Sequence, residues 1–395
     1  MAQKEFLSFE ISLFKSVYKD EQLISPYATG ICLAYLANLV KFEITRDDII
    51  KLLHSTPKKY WSYFEMILNM NKTIESNNPV RIANILFCEK KQMNSTFFLE
   101  ENTSENDLTS KLANYMPETV SINILLDSVP SLINKTIKKR TNGVITNLMN
   151  PQMPRGVHDY VVMSSILSFE CKFRVPFQNQ SLHQFHGFPK INFQNNHIEN
   201  SNYLLNCQAN SIPNNSNSKK DKNMIIMLSM QGKRVFVSKT HQMKMVLLPF
   251  EGDKTSFVAI MPKKKGESYF KKMMRKLNQK RFLDLIHRKV LKTVDLVIPM
   301  INVETDSLNC FDQIKKLGLN ADSFSFDSNE ILTHFRQKCV FSLNKFGTVQ
   351  KDNSFEIEEK IHGKPSQIKF NRPFIYFVFS HNPEVVLLSG VFMNV

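Results

Sequence analysis

The chain has 395 residues, of which 42% are hydrophobic, and a formal net charge of +15 at pH 7. This length is enough for a large core in one big domain or in two ordinary ones. No window reaches the ~18 apolar residues that a membrane helix needs, so a membrane-spanning protein is excluded. The positive charge favours polyanionic partners and says nothing about the fold.

The six cysteines lie far apart and form no C-x-x-C pair: Cys32, Cys88, Cys171, Cys207, Cys310 and Cys339. Five of them stand in apolar surroundings, which predicts reduced thiols that pack as small hydrophobic groups. His183 and His186 have H-x-x-H spacing, but no Cys or carboxylate ligand stands close by. We therefore expect no metal ion and no cofactor.

The sequence also lacks the patterns that enzymes use. We find no paired carboxylates, no phosphate-binding loop and no nucleophile elbow, so we expect no catalytic activity. The first fourteen residues, MAQKEFLSFEISLF, contain no basic leader followed by an apolar run. This favours a cytoplasmic protein. An extracellular location would require a leader that was removed, or unconventional export.

Helices dominate the predicted elements of the first third of the chain. Helical spacing of apolar residues covers 5–18, 23–40 after a short strand, 46–54 and 59–70. Thr45 is predicted to cap the third of these helices. A buried strand is expected at 80–88, and 120–139 is read as a strand followed by a helix that stops at Gly143.

Strands dominate after this point. We predict a strand at 160–169, a hairpin of 224–230 with 235–237 across Gly232 and Lys233, and a second hairpin of 243–249 with 256–261. Residues 263–292 are read as helical and very basic, 294–299 as a strand and 310–317 as a helix. A last hairpin joins 374–379 to 385–391. Residues 192–223 are rich in Asn, Ser and Lys and are predicted to be a surface insertion. The mixture indicates an α+β fold.

A long polar stretch separates the strand-like runs 339–343 and 374–379. Gly347, Gly363 and Pro365 punctuate it. Connections of this length without secondary structure are uncommon in compact domains and are usually functional or disordered.

The order of these pieces resembles the serpin family over nearly the whole chain. The strongest match is Phe370-Asn371-Arg372-Pro373-Phe374 followed by Leu388-Ser389-Gly390, with Asn394 in place. Further matches are Ser25-Pro26, the IANILF run from Ile82, the TNG triplet that ends at Gly143, the 245–262 hairpin and Leu317-Gly318-Leu319. The resemblance implies a monomer with a single serpin domain over 1–395. It also implies a large central mixed sheet, two further sheets, about eight or nine helices and an exposed reactive-centre-like loop at 347–369.

Several positions depart from the family pattern in the region where the central sheet opens. The family's Trp is Phe173 here, its Asn is Ser165, and its His ten residues before the hinge glycine is Gln337. The acidic residue before that glycine is Lys345, and its basic partner is Met300. With Ser25, these positions predict that the scaffold is kept while much of the local polar network is lost.

Inhibitory serpins insert the cleaved loop into the sheet as a new strand, so that the residues of the loop alternate between its two faces. The hinge of this chain comprises Lys345, Gly347, Thr348, Val349, Gln350, Lys351, Asp352 and Asn353. If Thr348 points inward, the inward set also contains Gln350, Asp352, Ser354, Glu356 and Glu358. The outward set is Val349, Lys351, Asn353, Phe355, Ile357 and Glu359, so the apolar residues fall on the outer face. A slip of one residue would exchange the faces.

The sequence therefore leaves two functional hypotheses. The first is a non-inhibitory serpin that presents a bait-type loop and acts by binding a partner, because buried unpaired charges oppose insertion. The second is a working serine-type endopeptidase inhibitor that is cleaved near Lys360–His362 by a suicide mechanism. Family spacing places the scissile bond at Ile361–His362 or His362–Gly363, and Lys360 is the nearest residue that suits a trypsin-like protease.

The segment 263–292 holds twelve Lys or Arg residues against two acidic ones. Some serpins bind glycosaminoglycans through a basic helix in this region, so a sulfated polysaccharide is a candidate partner, beside a serine protease or another protein. The predicted binding residues are Lys263, Lys264, Lys265, Lys271, Lys272, Arg275, Lys276, Lys280 and Arg281. No aromatic platform is interleaved with them, so specific nucleic-acid binding is not expected. A solvated helical face is the alternative explanation of these charges.

Overall fold

The structure is a computed structural model that describes residues 2–19, 23–40, 43–56, 60–77, 80–89, 118–122, 129–150, 162–188, 224–319, 324–327, 330–348 and 365–393. Eight helices lie within these ranges: α1 Ala2–Val17, α2 Pro26–Leu39, α3 Glu43–Leu52, α4 Tyr60–Asn77, α5 Val129–Arg140, α6 Glu267–Lys276, α7 Gln279–His287 and α8 Cys310–Lys315. None of them is long and apolar enough to cross a membrane.

The strands form three sheets, and the α+β class predicted from the sequence is confirmed. In chain order the strands are β1 Leu23–Ile24, β2 Val80–Glu89, β3 Glu118–Ile122, β4 Val162–Phe169, β5 Asn179–Gln184, β6 Met224–Lys239, β7 Met243–Pro249, β8 Thr255–Pro262, β9 Val290–Pro299, β10 Ile301–Glu304, β11 Leu308–Asn309, β12 Ser325–Asp327, β13 Glu330–Ile331, β14 His334–Leu343, β15 Ser366–Lys369, β16 Phe374–His381 and β17 Glu384–Phe392.

The nine-stranded sheet has the order β1-β17-β16-β8-β7-β6-β9-β15, with β5 paired to β6. Its central strands β8 and β16 are buried along almost their whole length. Their continuous runs of aromatic and β-branched residues suit strands that are covered on both faces. The six-stranded sheet has the order β10-β14-β4-β2-β3, with β11 paired to β14, and β12 and β13 form a small third sheet.

Helix α2 lies in the main core and contains no charged residue. A helix that is apolar on all sides is expected to be buried, and α2 packs against β17 and β4, which belong to different sheets. Ser25 caps its N-terminus, because the Ser25 Oγ accepts a hydrogen bond of 3.1 Å from the backbone N–H of Ala28. Pro26 follows at the first helical position, where its missing N–H has no consequence.

Helix α5 covers the other face of the six-stranded sheet. Its residues Ile133 and Ile137 are fully buried in a second apolar cluster together with Phe87 of β2 and Val162 of β4. The helix stops as predicted, because the Gly143 N–H reaches back 2.8 Å to the carbonyl of Lys138 with φ at +81°. The six-stranded sheet is therefore covered by apolar groups on both faces.

Three predictions about local structure are wrong. Residues 224–237 form no hairpin, because β6 runs on to Lys239 and pairs with β9 on both sides of a bulge at Gly232. The bulge is stabilised by a 2.9 Å bond from the Gly232 N–H to Asp295 Oδ1, at a φ of +63°. Thr45 is not a cap, because α3 already begins at Glu43. The basic segment is not helical throughout, because β9 begins at Val290.

The four cysteines whose side chains are described are Cys32, Cys171, Cys310 and Cys339. All four are buried and none forms a disulfide bond, as the sequence predicted. The side chains of Cys88 and Cys207, and the whole of the predicted insertion at 192–223, lie outside the described residues. The second predicted hairpin is confirmed as β7 and β8, and the last as β16 and β17.

Candidate functional site

Two neighbouring strands of the six-stranded sheet run parallel without any strand between them. Strands β14 and β4 pair directly over seven residues, from His334 opposite Val162 to Val340 opposite Ser168. A strand that followed β14 through a short turn would have to run antiparallel to both of them. The end of this pair, where β14 continues beyond Val340, is therefore the place where a further strand could enter.

The chain reverses direction immediately after β14. The Asn344 N–H donates to the Gly347 carbonyl at 2.8 Å, and the Gly347 N–H donates back at 3.3 Å. Gly347 has a φ of +129°, and a Cβ atom at this position would lie 2.3 Å from the carbonyl oxygen of Cys171. Only glycine fits so close to the backbone that follows β4, and this explains the hinge glycine.

Thr348 is anchored to the same backbone. Its N–H donates to the Cys171 carbonyl at 2.8 Å, and its Oγ1 accepts from the Cys171 N–H at 2.6 Å. Gly347 forms an antiparallel bridge with Lys172. Thr348 is 6% exposed, so the hinge begins as an antiparallel, buried continuation beside β4. The predicted hinge residues 349–353 and the scissile-bond candidates Lys360, Ile361 and His362 lie outside the described residues.

The predicted loop 347–369 requires a correction at its C-terminal end. Residues Ser366–Lys369 form β15, which pairs in parallel with β9, and Ile368 is 2% exposed. Because only one residue of this short strand is buried, the segment does not show the alternation of apolar and polar residues that would indicate a strand in the sequence. The C-terminal end of the predicted loop is therefore a strand from Ser366 onward.

Lys345 and Met300 do not form the ion pair that the family pattern would place there. The Lys345 ammonium lies 4.6 Å from the centre of the Phe346 ring, and no ion pair among the described residues includes it. Met300 is half-buried against the main core, and its N–H donates to the Ile226 carbonyl at 3.0 Å. Met300 therefore makes an apolar contact and Lys345 a cation–π contact, whereas the family pattern would place a salt bridge between these two positions.

Phe173 occupies the position of the family's Trp and is 3% exposed. Its ring stacks on Phe250 with centroids 5.1 Å apart, and it meets Phe177 edge to face at 5.6 Å. The Phe173 N–H donates to the carbonyl of Phe346 at 2.7 Å. Aromatic packing of this kind holds the backbone after β4 against the turn after β14.

The predicted loss of the polar network is wrong at Gln337. Its Oε1 accepts from the Ser25 N–H at 2.9 Å, and its Nε2 donates to the Ser25 carbonyl at 3.0 Å. Nε2 also lies 2.9 Å from Thr29 Oγ1 and 3.3 Å from Ser165 Oγ. Gln337 is fully buried, and a planar amide offers both a donor and an acceptor, so it takes the place of the family's His. The network links α2 to both strands of the parallel pair.

The sequence analysis missed two residues whose side chains connect β14 to its neighbours, Thr29 and Lys338. Thr29 lies one helical turn after Ser25, and this i, i+4 spacing could have identified it. Lys338 is 5% exposed on the outer face of β14, where its Nζ lies 2.8 Å from Glu304 Oε1 and 2.6 Å from Asn147 Oδ1. No sequence signal places these three residues together. They join β14 to β10 and to the loop that follows α5.

The predicted polyanion residues lie on α6, on α7 and on the loop before α6. All of them are exposed except Lys276, which is half-buried. Lys271 is partly neutralised by Glu267 at 2.6 Å, and this contact raises the pKa of the Lys271 ammonium. Tyr269 is 41% exposed, and the Lys264 ammonium lies 5.5 Å from its ring centre. The apolar faces of both helices are buried, so the charges form the solvent face.

Ser181 and His183 lie 3.0 Å apart on β5, a distance that could suggest a nucleophile and its base. Lys369 Nζ lies 3.3 Å from His183 Nδ1. An ammonium group only donates, so Nδ1 must accept and the proton resides on Nε2, which donates to the Ser181 hydroxyl. Burial and the Lys369 charge also lower the pKa of His183. In this tautomer His183 Nε2 is a donor to Ser181 and is not placed as its base. Among the described residues, no three His, Cys, Asp or Glu side chains gather as metal ligands.

Comparisons with known proteins agree on the architecture. No curated protein matches the chain by sequence, whereas 339 chains of solved structures match its fold. Native protease nexin-1 with heparin has 16% identity and a TM-score of 0.74, with 100% of this chain and 99% of that chain covered. Maspin has 19% identity, a TM-score of 0.74, and coverage of 100% and 98%. Serpin48 of the insect Tenebrio molitor, described as a highly specific serpin, has 18% identity, a TM-score of 0.70, and coverage of 100% and 98%.

At these identities the structural matches show the fold alone. The family model described as serpin (serine protease inhibitor) matches residues 5–395, which is almost the whole sequence. The chain therefore belongs to the serpin family.

Proposed function

We propose that this protein presents a bait-type loop, traps proteases weakly or not at all, and acts by binding a protein partner. Serpins are generally protease inhibitors rather than catalysts, and we propose that this member is not an enzyme. The observation that carries the proposal is the register of the hinge beside β4. It determines which loop residues a trapping reaction would have to bury.

The register follows from the first two hinge residues. Gly347 lies opposite Lys172, and the backbone of Thr348 bonds to Cys171. If the cleaved loop continued in this direction between β4 and β14, each further loop residue would lie opposite the preceding residue of β4. Residues that lie directly opposite each other in a sheet point to the same face.

In this register the inward set contains three acidic residues, Asp352, Glu356 and Glu358, and the first two would lie opposite described residues of β4 that belong to the main core. Asp352 would lie opposite Leu167, and Glu356 opposite Met163, both of which are fully buried. Keeping an Asp or Glu of ordinary pKa neutral at pH 7 costs about 4 kcal/mol per carboxyl group. Two such groups oppose insertion by about 8 kcal/mol, which favours simple cleavage of the loop over trapping.

The outer face is more tolerant than the sequence indicated. Phe355 would lie opposite Ser164, and Ile357 opposite Val162, which belongs to the apolar cluster under α5. Of these two apolar loop residues, only Ile357 would therefore lie opposite an apolar residue in the original register, because Ser164 carries a hydroxyl group. A slip of one residue would instead turn Lys351 toward the core. The slip would therefore remove the buried carboxylates but bury an unpaired ammonium group in their place.

Incubation with trypsin-like and chymotrypsin-like proteases tests this proposal. We expect cleavage near Lys360–His362, no SDS-stable complex, and no rise in the melting temperature of the cleaved protein. The variant Lys360→Ala is the control, because it should remove cleavage by the trypsin-like enzyme only. The alternative function is suicide inhibition of a serine-type endopeptidase. An SDS-stable complex with either enzyme would establish that alternative and refute ours.

A second candidate function is binding of a sulfated polysaccharide to the exposed basic face of α6 and α7. Nine basic residues gather there and in the preceding loop, and among them only Lys271 has an acidic partner in the described structure. The comparison structure of protease nexin-1 is described as one with heparin. We expect retention on heparin–agarose and elution by moderate salt, because counterions compete for such contacts. The triple variant Lys272→Gln/Lys280→Gln/Arg281→Gln should elute at lower salt, and unchanged elution would contradict this function.

A further inference from the structure

Four basic side chains gather at the end of the nine-stranded sheet where β6, β7 and β8 meet the F-N-R-P-F segment. Lys239, the last residue of β6, lies directly opposite Lys244 of β7. Lys263 directly follows β8, and Arg372 Nη2 donates to the carbonyl oxygens of Pro262 at 2.9 Å and Lys263 at 3.2 Å. We call Lys239, Lys244, Lys263 and Arg372 the cation cluster.

No acidic group neutralises the cation cluster within the described part of the chain. None of its members belongs to an ion pair there, and the groups that Arg372 contacts are neutral carbonyls. Lys244 is half-buried, and burial together with the charges of Lys239, Arg372 and Lys263 lowers its pKa. The cluster is thus close enough for its members to repel one another.

Such an arrangement is unfavourable for the folded protein by itself. Like charges directly opposite each other on antiparallel strands are destabilising, and the half-burial of Lys244 weakens its hydration. An oxyanion would remove both penalties, because it accepts hydrogen bonds from several ammonium and guanidinium donors at once. Arg372 is held in place by its two carbonyl contacts and therefore presents a fixed charge.

We propose that the cation cluster is a binding site for a phosphate or sulfate group. It shares only Lys263 with the basic face assigned to polysaccharide binding, and it is independent of the loop. The ligand class is a compact oxyanion, either a free phosphate compound or one sulfate group of a saccharide. Both supply tetrahedral oxygen atoms, and the experiment below distinguishes them.

The test is a calorimetric titration with inorganic pyrophosphate and, separately, with a heparin-derived tetrasaccharide, at constant ionic strength in chloride. The variants are Lys239→Gln and Lys244→Gln, with Lys138→Gln/Lys139→Gln on the exposed face of α5 as the matched control. We expect each cluster variant to weaken binding about tenfold, which is typical of losing one charged hydrogen bond. The control should bind pyrophosphate like the wild type.

Each outcome decides the proposal. Cluster-dependent binding of pyrophosphate alone identifies a free phosphate compound as the source, and cluster-dependent binding of the tetrasaccharide identifies a sulfated saccharide. Absence of binding to both probes, or binding that the cluster variants leave unchanged, overturns the proposal. Loss of folding is not a concern for Lys244→Gln, because relief of repulsion should leave its melting temperature equal to or above that of the wild type. Failure here would leave the protease cleavage result unaffected.

Discussion

Removal of two loop carboxylates should convert simple cleavage into loop insertion. In the register set by Gly347 and Thr348, Asp352 and Glu356 would be the acidic residues that enter the main core opposite buried residues of β4. The variant Asp352→Ala/Glu356→Ala also supplies the small side chains that a buried strand accepts. We therefore expect the cleaved variant, unlike the cleaved wild type, to gain a strand between β4 and β14.

The magnitude follows from the ordinary pKa values of the two groups. Protonating Asp and Glu at pH 7 costs about 4 kcal/mol each, so the variant lowers the free energy of the inserted state by about 8 kcal/mol. The unfolding entropy of globular proteins is about 2.1 cal/mol/K per residue, so for a chain of this length 8 kcal/mol corresponds to a rise of up to about 10 °C in melting temperature.

The assay compares the melting temperatures of intact and cleaved protein by circular dichroism, after limited digestion at the loop. Wild type should show the same value before and after cleavage, whereas the double variant should melt higher after cleavage. Glu359→Ala is the matched control, since this residue belongs to the outward set and should give no gain. A double variant that gains nothing, or a cleaved wild type that already melts higher, would refute the reasoning.

Three further variants test the core of the fold. Glu10 is fully buried, and burial raises the pKa of its carboxyl although the Val386 N–H donates to it at 2.8 Å. The folded protein therefore keeps a proton that the unfolded chain releases above about pH 4, and this stability is lost as pH rises. The free energy of unfolding of Glu10→Gln should equal that of the wild type near pH 4. Above this pH it should exceed the wild-type value by about 1.4 kcal/mol more for each pH unit, until the pH reaches the folded pKa. Thermal melts at several pH values measure this difference, and a difference that does not change with pH would contradict the prediction. Gln337→Leu should cost about 2–4 kcal/mol in urea unfolding, because it leaves buried polar groups of α2 unpaired, and a neutral result would mean that the network contributes nothing. Gly390→Ala should cost about 1–3 kcal/mol, because a Cβ would lie 2.1 Å from the Tyr376 ring, and Tyr376→Leu in the same chain should recover part of it.

The hydrophobic patterns predicted most elements because those elements satisfy their own local rules. The β16–β17 hairpin and the stop at Gly143 follow from residues adjacent in sequence, and both are confirmed. The same reasoning wrongly predicted a hairpin within β6, because a glycine such as Gly232 is compatible with either a turn or a bulge. Its pairing with β9, more than fifty residues away, decides between them.

The candidate site also contains features that only the tertiary structure shows. Gln337 was read as a lost family residue, because a sequence comparison cannot show that its amide reaches Ser25, Thr29 and Ser165. The cation cluster could not be predicted either. Two of its members lie on strands β6 and β7 and two on connecting segments, and only the register of the sheet brings them together.

The sequence by itself determined the family, the α+β class and the acidic character of the loop after Thr348. These depend on residue types and their order, which local propensity and pattern convert directly into elements. Only the tertiary structure decided which face of a new strand each loop residue would occupy. The positions of Gly347 and Thr348 beside Lys172 and Cys171 set that register, and in an inserted strand a side-chain period of two residues would then turn Asp352 and Glu356 inward.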